Sequence, residues 1–474
     1  MGKHIVAIDM NQQDATALAQ AIAEGILSAE QAMDAALDAA EKWRPLGAIT
    51  YLDRDLGRAG AIAFDAAPSR AAFAGVPSLF KDLGGPCAGL PIRLGSQAFL
   101  NASPQMDSEL GHRLRAAGLN FFGTTTVPEF GLALASEPAG APPARHPFDE
   151  TLSPGGSTGG AAAAVAAGIV AIAHATDAGG SIRVPAATCG LVGLKPSRGA
   201  MPAGPHFGNY LAGIASEFAL CRSVRDAKAL LPLVEGKTEG FLPDPAMQAG
   251  DVPDRLRIGI VTGDLANYPI TSERLQVVAD AAHFLEAQGH TIREIPASEF
   301  SPLIASSARA FDRIISVNLA AAIDFLALDE DKLEPLTRAV AERGRRMEAT
   351  ALYRAMNGAV SAAHMLWQIF RDINVLITPM LARGPMPLGS FSMNHGDVDA
   401  HWQKMNAFAP YAALANISGF PALSLPFGTD TNDMPVALQL VAPMGADRLL
   451  LSLGQRLEAD QRWQHKFPVA GLHT

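Results

Sequence analysis

Ser153-Pro154-Gly155-Gly156-Ser157-Thr158-Gly159-Gly160, followed by Asp177-Ala178-Gly179-Gly180-Ser181-Ile182-Arg183, is the stretch on which the reading of this chain turns. It sets two serines in separate glycine-rich loops. Glycine accepts backbone conformations that other residues avoid, so N–H groups can crowd around a hydroxyl there. Such a place can hold a developing oxyanion beside a nucleophile. A third segment upstream, Val76-Pro77-Ser78-Leu79-Phe80-Lys81-Asp82, presents an isolated lysine after an apolar run. Together the three segments point first to acyl transfer.

Working outward, residues 161–173 form the longest apolar run and consist mostly of alanine. A membrane-spanning helix needs about 20 such residues, so this run reads as a buried helix following the first serine loop. Upstream, residues 107–117 read as a helix, 119–123 as a short strand and 124–129 as a loop. Residues 11–70 read as helical, with Ser28 capping the second helix. Downstream, 192–195 reads as a strand and 235–255 as a polar, Pro/Gly-rich surface excursion. A βαβ-like unit follows, with strands at 256–261 and 291–295 around a helix at 272–287. After a helical block to Phe370, strands recur at 375–378, 422–425 and 436–440, and a helix at 446–459 ends the pattern. Strands on both sides of the excursion can join one sheet. The expected fold is therefore a single large α/β domain.

Composition narrows the function without deciding it. The chain has 474 residues, 49% hydrophobic and 18% charged, an ordinary globular balance that excludes disorder. Its net charge of −10, without a long basic tract, argues against autonomous nucleic-acid binding. Cys87, Cys189 and Cys221 are scattered and lack metal-site spacing. They read as reduced thiols of a cytoplasmic protein. Residues 1–6 lack the apolar core of a secretory leader.

A serine needs a base to become a nucleophile. Gly155-Gly-Ser157-Thr-Gly159 matches the G-x-S-x-G nucleophile elbow, but residues 147–154 make a poor strand, and the elbow requires a strand there. A phosphate cradle lacks both the Walker and the dinucleotide glycine patterns. A lysine base fits better, since Ser–Lys pairs are a known variant of triad logic. An ordinary lysine must drop by about 3 pKa units, roughly 4 kcal/mol, to be substantially neutral at pH 7. Burial can supply that, and Lys81 follows the apolar run that burial requires. The plainer alternative pairs Lys81 with its neighbour Asp82.

The three segments together resemble the amidase signature family of Ser–Ser–Lys hydrolases. Its pattern is a Lys-Asp after a Gly-Val-Pro strand, a Gly-Gly-Ser-Ser-Gly-Gly loop and a Gly-Gly-Ser-Ile-Arg loop. Here these read Gly75-Val-Pro-Ser-Leu-Phe-Lys81-Asp82, Gly155-Gly-Ser157-Thr158-Gly-Gly160 and Gly179-Gly180-Ser181-Ile-Arg183. The separations between them are similar to those of the family. The likeness continues through Cys189 to Pro196, Asn416 to Pro426 and Met434 to Gln439, covering about residues 70–460. Within the family, residues 197–234 look most like the bacterial amidases that include openers of nylon-oligomer cyclic amides.

The resemblance implies a mixed central β-sheet flanked on both faces by helices, with residues 1–70 as a helical segment packed on a domain spanning 71–474. It implies Ser181 as acylated nucleophile, Ser157 on a cis peptide bond as proton relay and Lys81 as base. The N–H groups of Ala178, Gly179, Gly180 and Ser181 would form the oxyanion hole. Asp177 and Arg183 would brace the loop. Thr158, in place of the family's second serine, keeps a hydroxyl for a supporting role, and Phe130 and Gly131 fall where the family lines its acyl pocket. No metal or organic cofactor is implied. The expected partner is a small-molecule amide, with neither nucleic acid nor membrane, and with self-assembly left open.

Two other readings remain: the A subunit of an aminoacyl-tRNA amidotransferase, and a silent scaffold, disfavoured by the intact triad. His146 and His174 read as packing residues rather than catalytic ones. Trp402, Phe408 and Tyr411 fit a pocket wall or ordinary helix packing.

Overall fold

The computed structural model describes residues 13–472 except 100–102, 203–209, 238–241, 249–252, 264 and 266. The leader reading at residues 1–6 and part of the 235–255 excursion lie outside the described residues.

Chain order begins with helices α1 (Ala15–Ala23) and α2 (Ala29–Lys42), strand β1 (Ile49–Leu52) and helix α3 (Arg54–Ala66). Ser28 caps α2 with a reciprocal Gln31 contact, as the spacing predicts. The central run is β2 (Val76–Lys81), α4 (Glu109–Ala116), β3 (Leu119–Thr125), α5 (Gly159–Ala166), β4 (Ile172–Asp177), α6 (Arg183–Cys189), β5 (Val192–Lys195), the single turn α7 (Tyr210–Gly213), β6 (Ser216–Cys221) and α8 (Val224–Val234). The βαβ-like unit comprises β7 (Arg257–Thr262), α9 (Ser272–Ala287) and β8 (Thr291–Pro296). The helical block is α10 (Ser301–Leu326), α11 (Pro335–Arg345) and α12 (Ala349–Ile369). The chain closes with β9 (Val375–Pro379), α13 (Val398–Phe408), α14 (Ala412–Ser418), β10 (Ala422–Thr429), β11 (Pro435–Val441) and α15 (Asp447–Glu458).

The eleven strands of the described residues join one sheet in the order β1-β3-β2-β4-β6-β5-β10-β11-β9-β7-β8. It is mixed: β2 runs parallel to β3 and β4, whereas β4 and β5 run antiparallel to β6. The central strands β2, β3, β4 and β6 are buried along their whole length. Strands covered on both faces lose the polar alternation of a one-sided sheet. Residues of α1, α2, α5, α8, α9 and α15 share one apolar core with the sheet, and residues of α10, α11 and α13 form a second.

Three expectations are corrected. The 161–173 run is not one helix: α5 stops at Ala166, Gly168 turns the chain at φ 76°, and β4 begins at Ile172. Alanine is the strongest helix former, so the run reads as helix straight through the boundary, while Ile169, Val170 and Ile172 carried the strand preference. Thr124 and Thr125 extend β3 instead of forming a loop. The 11–70 segment is interrupted by β1, whose Ile-Thr-Tyr-Leu sequence pairs antiparallel with β3 at the sheet edge. The backbone just before β1 reaches the catalytic region: Thr126 donates its N–H to Ala48 O (3.0 Å) and its hydroxyl to Gly47 O (2.6 Å). Thr126 O in turn accepts from Gly160 N at 3.1 Å, at the start of α5.

Candidate active site

Lys81 ends β2, and its side chain lies wholly buried among hydroxyls. Nζ is 2.9 Å from Ser157 Oγ, 2.7 Å from Thr158 Oγ1 and 2.8 Å from Thr176 Oγ1, with Thr176 O at 3.3 Å. No carboxylate touches it among the described residues. The plainer reading, a pair with Asp82, fails because Asp82 turns away to accept the N–H groups of Arg93 and Gly95. Burial pushes Lys81 down to about 7, against the opposing fields of Asp177 and Glu217. A neutral amine keeps two donors and gains a lone pair. Nζ can therefore accept a proton from one of the hydroxyls around it.

Ser157 lies between β3 and α5, and the Gly156–Ser157 peptide bond is cis, as the resemblance implies. Ser136 holds this loop from both sides, donating its hydroxyl to Ser157 O (3.1 Å) and accepting Gly159 N (2.9 Å). Thr158 does more than support the loop at a distance: its hydroxyl bridges Lys81 Nζ and Thr176 O.

Ser181 lies in the turn between β4 and α6, a turn gathered by the Asp177 carboxylate. Asp177 accepts from the backbone N–H groups of Gly180 (2.7 Å), Ile182 (3.2 Å) and Arg183 (3.4 Å). It also pairs with the Arg183 guanidinium through Nε and Nη2, both at 2.9 Å. Both side chains are fully buried. Burial alone would raise the Asp177 carboxyl, but Arg183 outweighs it and holds the group well below the usual carboxylate range. The expected brace is therefore present, and it extends further than the loop. Arg183 also donates to Gln439 Oε1 (2.6 Å), Ala412 O (3.0 Å) and Asn416 Oδ1 (2.6 Å). Asn416 returns a bond to Asp177 Oδ1 at 2.9 Å.

The oxyanion expectation is corrected at one position. The Gly180 N–H is already committed to Asp177, whereas those of Ala178, Gly179 and Ser181 have no partner among the described residues. The Ser181 hydroxyl also makes no hydrogen bond there. Gly131 abuts the other serine, since a Cβ added to it would lie 3.3 Å from Ser157 Oγ. Phe130 beside it is half-buried and stacks obliquely on Phe99 at 6.0 Å.

The histidines take the packing role. His146 Nε2 meets Thr188 O at 2.8 Å, and His174 stacks on Phe80 while accepting the Lys81 backbone N–H. Trp402, Phe408 and Tyr411 are buried in helix packing. A second buried lysine, Lys195, is likewise brought down by burial to about 7, but its amine donates to Pro196 O and meets no hydroxyl among the described residues. Two buried lysines thus share a depressed basicity, and only Lys81 is placed to use it on a serine.

A sequence profile of the Amidase family matches residues 31–451. The chain belongs to the amidase family. This amidase is 32% identical over 462 residues to AmiC of Mycobacterium tuberculosis, named as an amidase, with 95% of each chain covered. It is 30% identical over 496 residues to the 6-aminohexanoate-cyclic-dimer hydrolase of Paenarthrobacter ureafaciens, covering 96% of each. A solved structure of 6-aminohexanoate cyclic dimer hydrolase complexed with substrate matches with a TM-score of 0.89 at 28% identity, over 98% of this amidase and 100% of that chain. The enzyme is an amidohydrolase, cleaving a carboxamide C–N bond.

Reasoning from sequence missed Thr176 and Ser136 in the amidase site. Asn416 and Gln439 lay in segments carrying the family likeness, but nothing in their spacing tied them to Asp177 and Arg183.

Proposed function

We propose that this amidase works through an acyl-serine intermediate, with Ser181 as nucleophile, Ser157 as relay and neutral Lys81 as base. The observation carrying the proposal is the 2.9 Å contact between a buried, low-pKa Lys81 amine and Ser157 Oγ. Ser181 Oγ attacks the amide carbon as its proton passes to Ser157, whose own proton passes to Lys81. Charge on the carbonyl oxygen is met by the free N–H groups of Ala178, Gly179 and Ser181. The C–N bond then breaks, and the departing nitrogen takes the proton back through the same path. Water repeats the sequence on the acyl-serine and releases the carboxylate. The unpaired Ser181 hydroxyl supports this order, because it can turn toward Ser157 without breaking another bond. Likeness to the cyclic-dimer hydrolase favours linear or cyclic aliphatic amides, with no metal or organic cofactor taking part. The buried, unpaired thiols Cys87, Cys189 and Cys221 accord with a cytoplasmic setting, and no helix of the described residues is long and apolar enough to cross a membrane.

A fluorophosphonate probe tests the proposal. Mass spectrometry is expected to find the adduct on Ser181 and none on Ser157; an adduct elsewhere, or none, overturns the assignment. A requirement for ATP, tRNA and a second subunit would instead favour the amidotransferase reading.

The state of Lys81 also sets a pH dependence. The base works only when neutral, so kcat/KM is expected to rise with pH through about 7 and level off above. Glu217 raises the Lys81 pKa by its charge, so Glu217→Gln should move that rising limb to lower pH. A pH–rate profile showing the limb unmoved, or moved upward, would remove Glu217 from this role.

A further inference from the structure

We infer that Phe311, on α10, is a specificity-determining wall of the acyl site, and that the site takes carboxamides with an apolar acyl group whose bulk this ring limits. The inference rests on the acyl-serine reading. A Cβ added to Gly179 would lie 2.7 Å from Phe311 Cε2 and 3.2 Å from Cζ. Only a hydrogen fits between that backbone and the ring. Gly179 also carries one of the unpaired N–H groups flanking Ser181, so a substrate carbonyl bound there brings its acyl chain alongside the Phe311 edge. Phe311 is half-buried, so part of it stays accessible.

Phe311 is held in place by a chain of contacts. Trp402 meets it edge-to-face at 5.5 Å and 88°. The Trp402 indole N–H donates to Asp312 Oδ1 at 2.9 Å, and Asp312 also receives Arg343 at 3.1 Å. The indole that supports the ring is thereby fixed by the residue next to Phe311 in sequence. Phe130, also half-buried and next to the Gly131 that abuts Ser157, belongs to the same apolar cluster. One half-buried ring thus borders the Gly179 backbone, and another is the chain neighbour of the Gly131 that abuts Ser157, a setting that favours an apolar acyl group over a charged one.

The test uses the full chain and two probes, methyl and phenyl fluorophosphonate, whose carbon substituent stands in for the acyl group. The readout is the ratio of their second-order inactivation rate constants, with the adduct located by mass spectrometry. Phe311→Ala is expected to raise the phenyl-to-methyl ratio by about tenfold or more, the range over which an apolar pocket discriminates. Phe311→Trp is expected to lower it. If either variant fails to fold, the other still decides. A ratio unchanged in a folded variant whose Ser181 is labelled overturns the inference and leaves the acyl-serine reading standing. Absence of a Ser181 adduct in the unaltered enzyme overturns both.

Discussion

Lys81→Ala is expected to lower kcat/KM by at least about a thousandfold, the upper part of the range for losing a positioned general base. The amine is the one basic group that meets either serine loop hydroxyl among the described residues, and Lys195 is directed at a carbonyl. Lys81→Met is the sharper version, because it fills the same space with an apolar chain and leaves no cavity to blame. Both variants should also lose the limb near pH 7, since the group that titrates there is gone. Thr158→Ala removes only one of the amine's hydroxyl partners and leaves Ser157 and Thr176 around it, so it should cost far less. Steady-state kinetics across pH check all three. Equal losses for Lys81→Ala and Thr158→Ala would overturn the supporting role of Thr158, and a limb that survives in Lys81→Met would assign the base elsewhere.

Arg183→Met is expected to destabilise the protein by about 3–5 kcal/mol, the range for removing one partner of a fully buried ion pair. Asp177 would be left buried without its counter-ion, while Ala412 O, Asn416 Oδ1 and Gln439 Oε1 would lose their donor. The double variant Asp177→Asn/Arg183→Met should be less destabilised than Arg183→Met alone, because no uncompensated carboxylate remains. Chemical denaturation of the wild type, the two single variants and the double variant checks this. A double variant as unstable as the sum of its singles would show that the pair does not act as a unit. Activity should fall in each, because the Ser181 turn is folded around the Asp177 carboxylate.

What the sequence could disclose followed from how locally each feature is encoded. Lys81, Ser157 and Ser181 sit in short glycine-marked motifs, so they were legible, as was the Asp177–Arg183 brace lying within one turn. Gly180 was misassigned because its N–H lies in the right loop but faces the carboxylate, a matter of turn geometry that composition does not carry. Thr176 was invisible because alternate residues of a buried strand differ only in the side they face. Phe311 reaches Gly179 from a helix more than a hundred residues further along, and no period or motif announces such an approach. Among the elements, helix α9, whose buried Val277, Val278, Ala281, Ala282 and Leu285 recur at helical spacing, and the β-branched strands of its unit were readable. The boundary between α5 and β4 was not, because alanine on both sides of it reads as helix.

Gly160 has no room for a side chain: a Cβ there would lie 2.4 Å from Thr126 N and 2.5 Å from Ala48 O. The backbone at Ala48, just before β1, is thereby packed against the helix from which the relay serine hangs. Grafting the two serine loops onto a foreign scaffold, or trimming the chain from its front, would unmoor that helix even with every reacting group still in place. The front of the chain is part of the jig that holds the catalyst, and an engineered minimal version has to carry it along.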